Sequence, residues 1–165
     1  MMTPAPPVTP PPVLVEVLLL RHDPGEGFAY RRLVTGLDRR ARPDDTARRL
    51  ALLDEHDDRH IVHSSSWRAT DEGHIILTYF VHPDPDPSRP GIPLTDPHDI
   101  ARSPSPGRPA PPDLSLDNVA AHAIRHLAFL GRTDPAVAAR LALQTHTWPA
   151  LDTVPGVTAG QLQHI

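Results

Sequence analysis

Hydrophobic and polar positions along this chain alternate in two distinct ways. From Val13 to Leu20 the residues read "VLVEVLLL", a nearly continuous branched-apolar run. Such a run predicts a strand buried on both faces. The next segment, "DPGEG", is turn chemistry: Pro24 presets φ, and Gly25 and Gly27 tolerate positive φ. Phe28–Thr35 then predicts an antiparallel return strand closed by Gly36. Two further runs, "HIVHSSSW" and "HIILTYFVH", flank the turn segment "RATDEG" and predict a second hairpin.

A helical period replaces these runs elsewhere. In "RPDDTARRLALLDEHDD", Asp44 or Asp45 can cap a helix, and Ala47, Leu50 and Ala51 share one face that Leu53 widens. A helix through this whole segment places Asp54 at the edge of that face with Glu55 beside it. The longest stripe is in "LSLDNVAAHAIRHLAFLG", where Leu116, Val119, Ala120, Ala123, Ile124, Leu127 and Leu130 line up. Ser115 or Asp117 starts that helix and Gly131 ends it. Pro135 opens a short helix after it.

Between these elements lies a segment of another composition. Residues 83–112 hold eleven prolines and few apolar residues, which predicts a long flexible surface loop. Residues 1–12 hold six prolines and predict a disordered or polyproline arm. The expected organisation is that arm, one α/β domain over 13–144 containing the Pro-rich loop, and a poorly ordered tail over 145–165. The fold expected is a mixed β-sheet with covering helices.

Composition narrows the chemistry. The chain has 165 residues, no cysteine and a formal net charge of −4. Thiolate catalysis, disulfides and cysteine-based zinc sites are excluded. No global basic field points to nucleic acid, and the apolar run at 13–20 is too short to span a bilayer. The expectation is a soluble cytoplasmic protein without nucleic-acid or membrane partners; a protein partner is left open. All sixteen basic residues are Arg, as codon bias in a GC-rich genome would give, so no single Arg stands out by its type.

The stretch "VEVLLLRHDPGEG…YRRLVTG…DDTARRLALLDEH" resembles the first strands, glycine and helix of the Nudix superfamily. The resemblance covers roughly residues 13–82. It sets Gly36 at the opening glycine, Arg49 approximately at the motif arginine, and Asp54 and Glu55 at the carboxylate pair. That family's carboxylates bind Mg²⁺, which activates water at a diphosphate. The motif is incomplete here. Arg42 and Leu50 stand where glutamates are expected, the Arg49–Asp54 spacing is one residue long, and no glycine follows Glu55. What the resemblance implies is a Nudix-like topology, a phosphorylated or nucleotide ligand, and Mg²⁺ at Asp54 and Glu55, with catalysis left open. Two neighbouring carboxylates also suit an ordinary solvated face.

Three other features compete. "LLLRHD" resembles the strand-to-loop motif of histidine phosphatases, which would make His22 a nucleophile with Arg21 and Arg68 as phosphate clamps. Asp23 and Glu26 bring negative charge to that place, and no second catalytic histidine is evident. In "HSSSWR", strand alternation sets His63, Ser65 and Trp67 on one side, followed by Arg68: a pocket wall for a ligand, or a polar edge strand. His122 and His126 have metal-ligating spacing, but Ala123 stands where a zinc hydrolase needs Glu, so packing histidines are expected. An interaction domain using the Pro-rich segments is the alternative from another functional class.

The helical stripe makes a direct prediction. Leu127 sits at its centre, so Leu127→Ala should cost about 2–5 kcal/mol of stability. Denaturant unfolding of the variant checks this; a midpoint equal to that of the parent would mean the helix does not pack by this face.

Overall fold

The computed structural model describes residues 12–108 and 111–156. The expected arm at 1–12 lies almost entirely outside them, as does the end of the tail. Among them five strands form one mixed sheet: β1 (Val13–Asp23), β2 (Gly27–Gly36), β3 (Ile61–Ala69), β4 (Ile75–His82) and β5 (Ile92–Pro93). Their spatial order is β3-β4-β1-β2-β5, with β1 and β4 parallel and the other pairs antiparallel. Among the described residues four helices complete the fold: α1 (Pro43–Leu50), α2 (Leu116–Thr133), α3 (Pro135–Ala142) and α4 (Thr147–Asp152). The expected α/β class is correct.

β1 is the central strand, and Val15–Leu20 are all buried. Its odd positions Val15, Val17 and Leu19 join Tyr79, Val81, Ala47, Ala51 and Leu53 in a core beneath α1. Its even positions Leu18 and Leu20 join Tyr30, Phe80 and the α2 stripe in a larger core. Pro24 and Gly25 build the β1–β2 turn: Gly25 has φ 83°, and the Glu26 amide donates to the Asp23 carbonyl at 3.0 Å.

α1 is shorter than the sequence pattern predicts. It stops at Leu50 because the backbone closes in a Schellman motif. The Leu53 amide donates to the Arg48 carbonyl at 2.9 Å, and the Leu52 amide to the Arg49 carbonyl at 3.0 Å. Leu52 takes the left-handed position, φ 58°, with its side chain 91% exposed. Leu53 thereby folds back into the core, and Asp54 and Glu55 leave the helix for an exposed turn. The drive to bury Leu53 outweighs the preference of "LALLDEHDD" to stay helical.

α2 begins as expected. Ser115 Oγ accepts from the Asn118 amide at 3.1 Å, and Asn118 Oδ1 accepts from the Ser115 amide at 3.0 Å, a capping box. Its end differs: the helix continues through Gly131 to Thr133. Gly131 serves packing rather than capping, since a Cβ there would meet the Trp148 ring at 2.5 Å and Leu141 Cδ1 at 2.8 Å. Trp148, Leu151 and Val154 pack onto the α2 core, so the expected loose tail is structured as far as α4 and Val154.

The Pro-rich segment is likewise tied to the domain over its first half. The Asp84 amide donates to the Leu20 carbonyl at 2.8 Å, and the buried Asp84 carboxylate takes both arms of Arg31 at 2.8 and 2.5 Å. β5 pairs with β2 at the sheet edge, where Pro93 needs no amide partner. Leu94 is buried, Ile100 packs on the core, and Asn118 Nδ2 donates to the Asp99 carbonyl at 2.9 Å. Few apolar residues suffice here because polar anchors replace them.

Leu52 is the cheapest place to improve this fold. Left-handed backbone costs a residue with a Cβ about 1 kcal/mol, and Leu52 gains no burial in return. Leu52→Gly should raise stability by about 0.5–1 kcal/mol, less the added chain entropy of glycine. Equilibrium unfolding checks this; a destabilised variant would rule out the Schellman closure as the helix stop.

Candidate functional site

A cleft of about 490 Å³, open to solvent, lies beside α1. It is lined by Arg40, Ala41, Arg42, Asp45, Arg48, Arg49, Leu53 and Glu55. The Schellman closure shapes it by swinging Leu53 inward and Glu55 back toward the helix. Arg40 and Arg42 come from the connection before α1, and Arg48 and Arg49 from its last turn. Among the described residues none of these arginines forms an ion pair. Arg48 donates to the Asp57 carbonyl at 3.3 Å, and Arg49 to Thr46 Oγ1 at 3.3 Å. Four arginines and two acidic residues thus line one concavity. A smaller neighbouring cleft of about 330 Å³ is lined by Thr35, Gly36, Asp38, Thr46, Arg49 and Leu50, so Arg49 stands between the two.

Asp54 and Glu55 do not form a paired metal cradle. Glu55 lines the arginine cleft, while Asp54 Oδ1 accepts from the His56 amide at 3.2 Å in its own turn. Among the described residues no group of three or more His, Cys, Asp or Glu is placed to hold a metal ion. These residues do not fit Mg²⁺ as the motif would, because the turn after Leu53 removes the helical spacing that brings two carboxylates to one point.

Arg68 is not in that cleft. It lies on the α2 side of the sheet, where its fork holds the fully buried Glu16: Nη1 to Oε1 at 2.8 Å and Nη2 to Oε2 at 2.9 Å. Arg32 Nε reaches Oε2 at 2.6 Å, and Thr78 Oγ1 donates to Oε1 at 2.9 Å. Burial alone would push the Glu16 carboxyl up, but Arg68, then Arg32 and Thr78, hold it below its ordinary value. The arrangement is a satisfied buried carboxylate, and Arg68 is committed to it. The lone acid in "VEVLLL" is the sequence signal for this site, since a carboxylate inside an apolar strand must be met by a cation.

The other residues of "HSSSWR" are dispersed by a β-bulge between Ser64 and Ser66. Before the bulge His63 faces the α2 side, with its ring 4.9 Å from that of His126. After it the alternation inverts, so Arg68 faces α2 and Trp67 points to the other side, 68% exposed. Ser65 is the extra residue, and its carbonyl contacts His122 Nε2 at 3.2 Å. The strand alternation expected from the sequence therefore fails at Ser65, and His63, Ser65, Trp67 and Arg68 do not share one wall. The bulge, on an edge strand, gives the serine run its structural reason.

At the far end of β1, Arg21 is spent locally, on Asp23 at 3.0 Å and on the Arg89 carbonyl at 2.6 Å. His22 packs edge-on against Phe28, with Nδ1 buried and unpartnered. Burial lowers its pKa, outweighing the charge of Asp23. Arg21 and Arg68 do not converge, since Arg68 holds Glu16, near the opposite end of the strand. Comparison of the chain with protein-family models, with curated proteins and with solved structures finds no match. No described helix is long and apolar enough to cross a membrane.

Two histidines, His82 buried and His126 half-buried, set the acid response. His82 is buried between the Leu20 carbonyl and Gln144 Oε1, and burial pushes its pKa down to about 4 against the partial compensation of those contacts. His126 is also pushed down to about 4, by burial and then by the charges of His63 and His122. Each therefore takes a proton in the unfolded chain before it does in the fold. Stability should be complete above about pH 6.5 and fall as pH drops toward 4, His82 contributing up to about 3 kcal/mol of the loss. Urea unfolding across that range should show His82→Gln with a shallower fall than the parent; equal slopes would contradict a neutral, buried His82.

Proposed function

We propose that this chain is a Nudix-like α/β domain with an incomplete motif, which binds a phosphorylated or nucleotide ligand in the arginine cleft beside α1. One observation carries this reading: Arg40, Arg42, Arg48 and Arg49 line a single concavity, and none is ion-paired among the described residues. Planar guanidinium forks match phosphate oxygens in pairs, and several charge-assisted bonds converging on one group give both affinity and orientation. A diphosphate could span the large cleft and the smaller one through Arg49, which lines both. The chain order supports the resemblance: hairpin, glycine at Gly36, helix, second hairpin, with that glycine and Arg49 lining one cleft.

The reading concerns binding. Only Glu55 of the expected carboxylate pair borders the cleft, so no metal-activated water is assigned to it. The interaction-domain reading has less support, because the Pro-rich segment spends its first half on contacts within the domain. A phosphohistidine mechanism has less still, since it needs cations converging on His22 and Arg21 is already engaged.

Calorimetric titration with nucleoside diphosphates and inorganic pyrophosphate tests the proposal. Binding should weaken as salt rises, and Arg49→Gln and Arg42→Gln should each reduce affinity about tenfold to a hundredfold. No measurable binding by the parent, or unchanged affinity in both variants, would remove the cleft as the site.

A further inference from the structure

Clefts follow one another around α1 because of its helical spacing. Residues four apart share a side, so Asp44 goes with Arg48, Asp45 with Arg49, and Thr46 with Leu50. The last two pairs border the clefts of about 490 and 330 Å³. The first borders a further cleft of about 230 Å³ between α1 and the sheet edge, lined by Asp44, Arg48, Val62, His63, Ser64 and Tyr79. Arg48 lines both this cleft and the arginine cleft, and so stands between them.

Contacts independent of the cavity hold its polar groups in place. Ser64 and Tyr79 are register partners across β3 and β4, which sets their side chains next to each other on one face of the sheet. That face is the α1 side, where Tyr79 belongs to the core and Val62 packs against it. The Tyr79 hydroxyl donates to Asp44 Oδ1 at 2.5 Å. Arg48 follows Asp44 by one turn, and its Nη1 donates to the Asp57 carbonyl at 3.3 Å. His63 turns its ring to that of His126 on the other face, leaving Val62 and Ser64 as the β3 side chains on this one.

This lining is selective. Asp44 repels a phosphate, which the arginines of the adjoining cleft attract, and Arg48 repels an ammonium group. Asp44, Arg48 and Ser64 make a poor seat for a purely apolar group, which would cost them their hydration. A neutral group rich in hydroxyls meets none of these objections. A carboxylate accepts about four hydrogen bonds and Tyr79 occupies one, so Asp44 can accept from both hydroxyls of a vicinal diol. The Ser64 hydroxyl can donate or accept beside it. The volume lies below the roughly 300–1,000 Å³ of a cleft that encloses a whole drug-sized ligand, and suits one ring of a larger molecule.

We propose that this cleft is a ribose subsite. The arginine cleft holds the diphosphate of a nucleoside diphosphate, and the ribose passes Arg48 so that its 2′,3′-diol donates to Asp44 beside Ser64. The inference rests on the reading of the arginine cleft as a phosphate site, and names the ligand class of that site as a ribosyl diphosphate. Ribose follows directly on the phosphates in such a ligand, as this cleft follows on the arginine cleft.

Calorimetric titration of the full-length chain with adenosine diphosphate, its 2′,3′-dideoxy analogue and inorganic pyrophosphate tests the subsite. The parent should bind adenosine diphosphate about tenfold more tightly than the dideoxy analogue, the worth of hydrogen bonds to a carboxylate. Asp44→Asn and Ser64→Ala should each narrow that ratio. Asp44→Asn also disturbs the Tyr79 contact, so its unfolding temperature is measured alongside. Ser64 is exposed on an edge strand and has no such second role, and the dideoxy analogue reads the diol without any variant. Arg49→Gln should weaken both nucleotides together and keep their ratio, which separates phosphate contacts from ribose contacts. Pyrophosphate binding with no preference for the diol-bearing nucleotide would overturn the subsite and leave the arginine cleft standing. A preference that survives both Asp44→Asn and Ser64→Ala would overturn it as well. No binding of any of the three ligands by the parent would remove both readings.

Discussion

β1 has no face to turn to water. Six consecutive residues, Val15–Leu20, are buried in the centre of the sheet. A strand of this kind must be covered on both sides, and the remainder of the fold meets that demand. α1 closes one face with Ala47, Ala51 and Leu53. α2, with α3, α4 and the Leu94–Ile100 stretch, closes the other. Removing apolar surface from water supplies the drive, at roughly 25 cal/mol per Å². The two layers are unequal, and the thinner one, under α1, borders the arginine cleft.

Covering both faces leaves polar groups that must be satisfied, and the solutions on the two sides run parallel. On the α2 side Tyr30 donates to Asp117, in the first turn of α2, at 2.5 Å. On the α1 side Tyr79 donates to Asp44, in the first turn of α1, also at 2.5 Å. Each tether fixes a helix start to the sheet and keeps a carboxylate where the helix dipole favours it. In both cases burial and the neighbouring carboxylate raise the phenol pKa, so the hydroxyl stays a donor. Glu16 follows the same logic at higher stakes, because stripping Arg68 would leave a fully buried carboxylate with Arg32 alone to balance its charge.

The charge ledger also directs attention to function. Arg21, Arg31, Arg32 and Arg68 are bound to carboxylates, two of them fully buried, and have structural roles. The arginines around α1 have no such partner among the described residues. Arg-rich composition made every arginine look alike in the sequence; the distinction lies in which of them the fold has already neutralised.

The sequence alone determined the elements whose causes are local. The "VLVEVLLL" run, the Pro24–Gly25 turn and the Leu116–Leu130 stripe each carry their own periodicity or turn chemistry, and each stands where that pattern places it. Ser115 as the cap and Pro135 at a helix start belong with them. Tertiary structure decided what depends on partners far along the chain. α1 ends early because Leu53 finds a core. Gly131 is passed over as a stop because Trp148 and Leu141 need its missing side chain. The bulge at Ser65 sends Arg68 to Glu16, 52 residues away in sequence, and Arg31 anchors a proline segment that composition marks as loose. Local propensity is worth tenths of a kcal/mol per residue, about 1 at most for an ordinary side chain, whereas a buried leucine or a compensated buried charge is worth several times that. Where the two disagreed, the long-range contact prevailed.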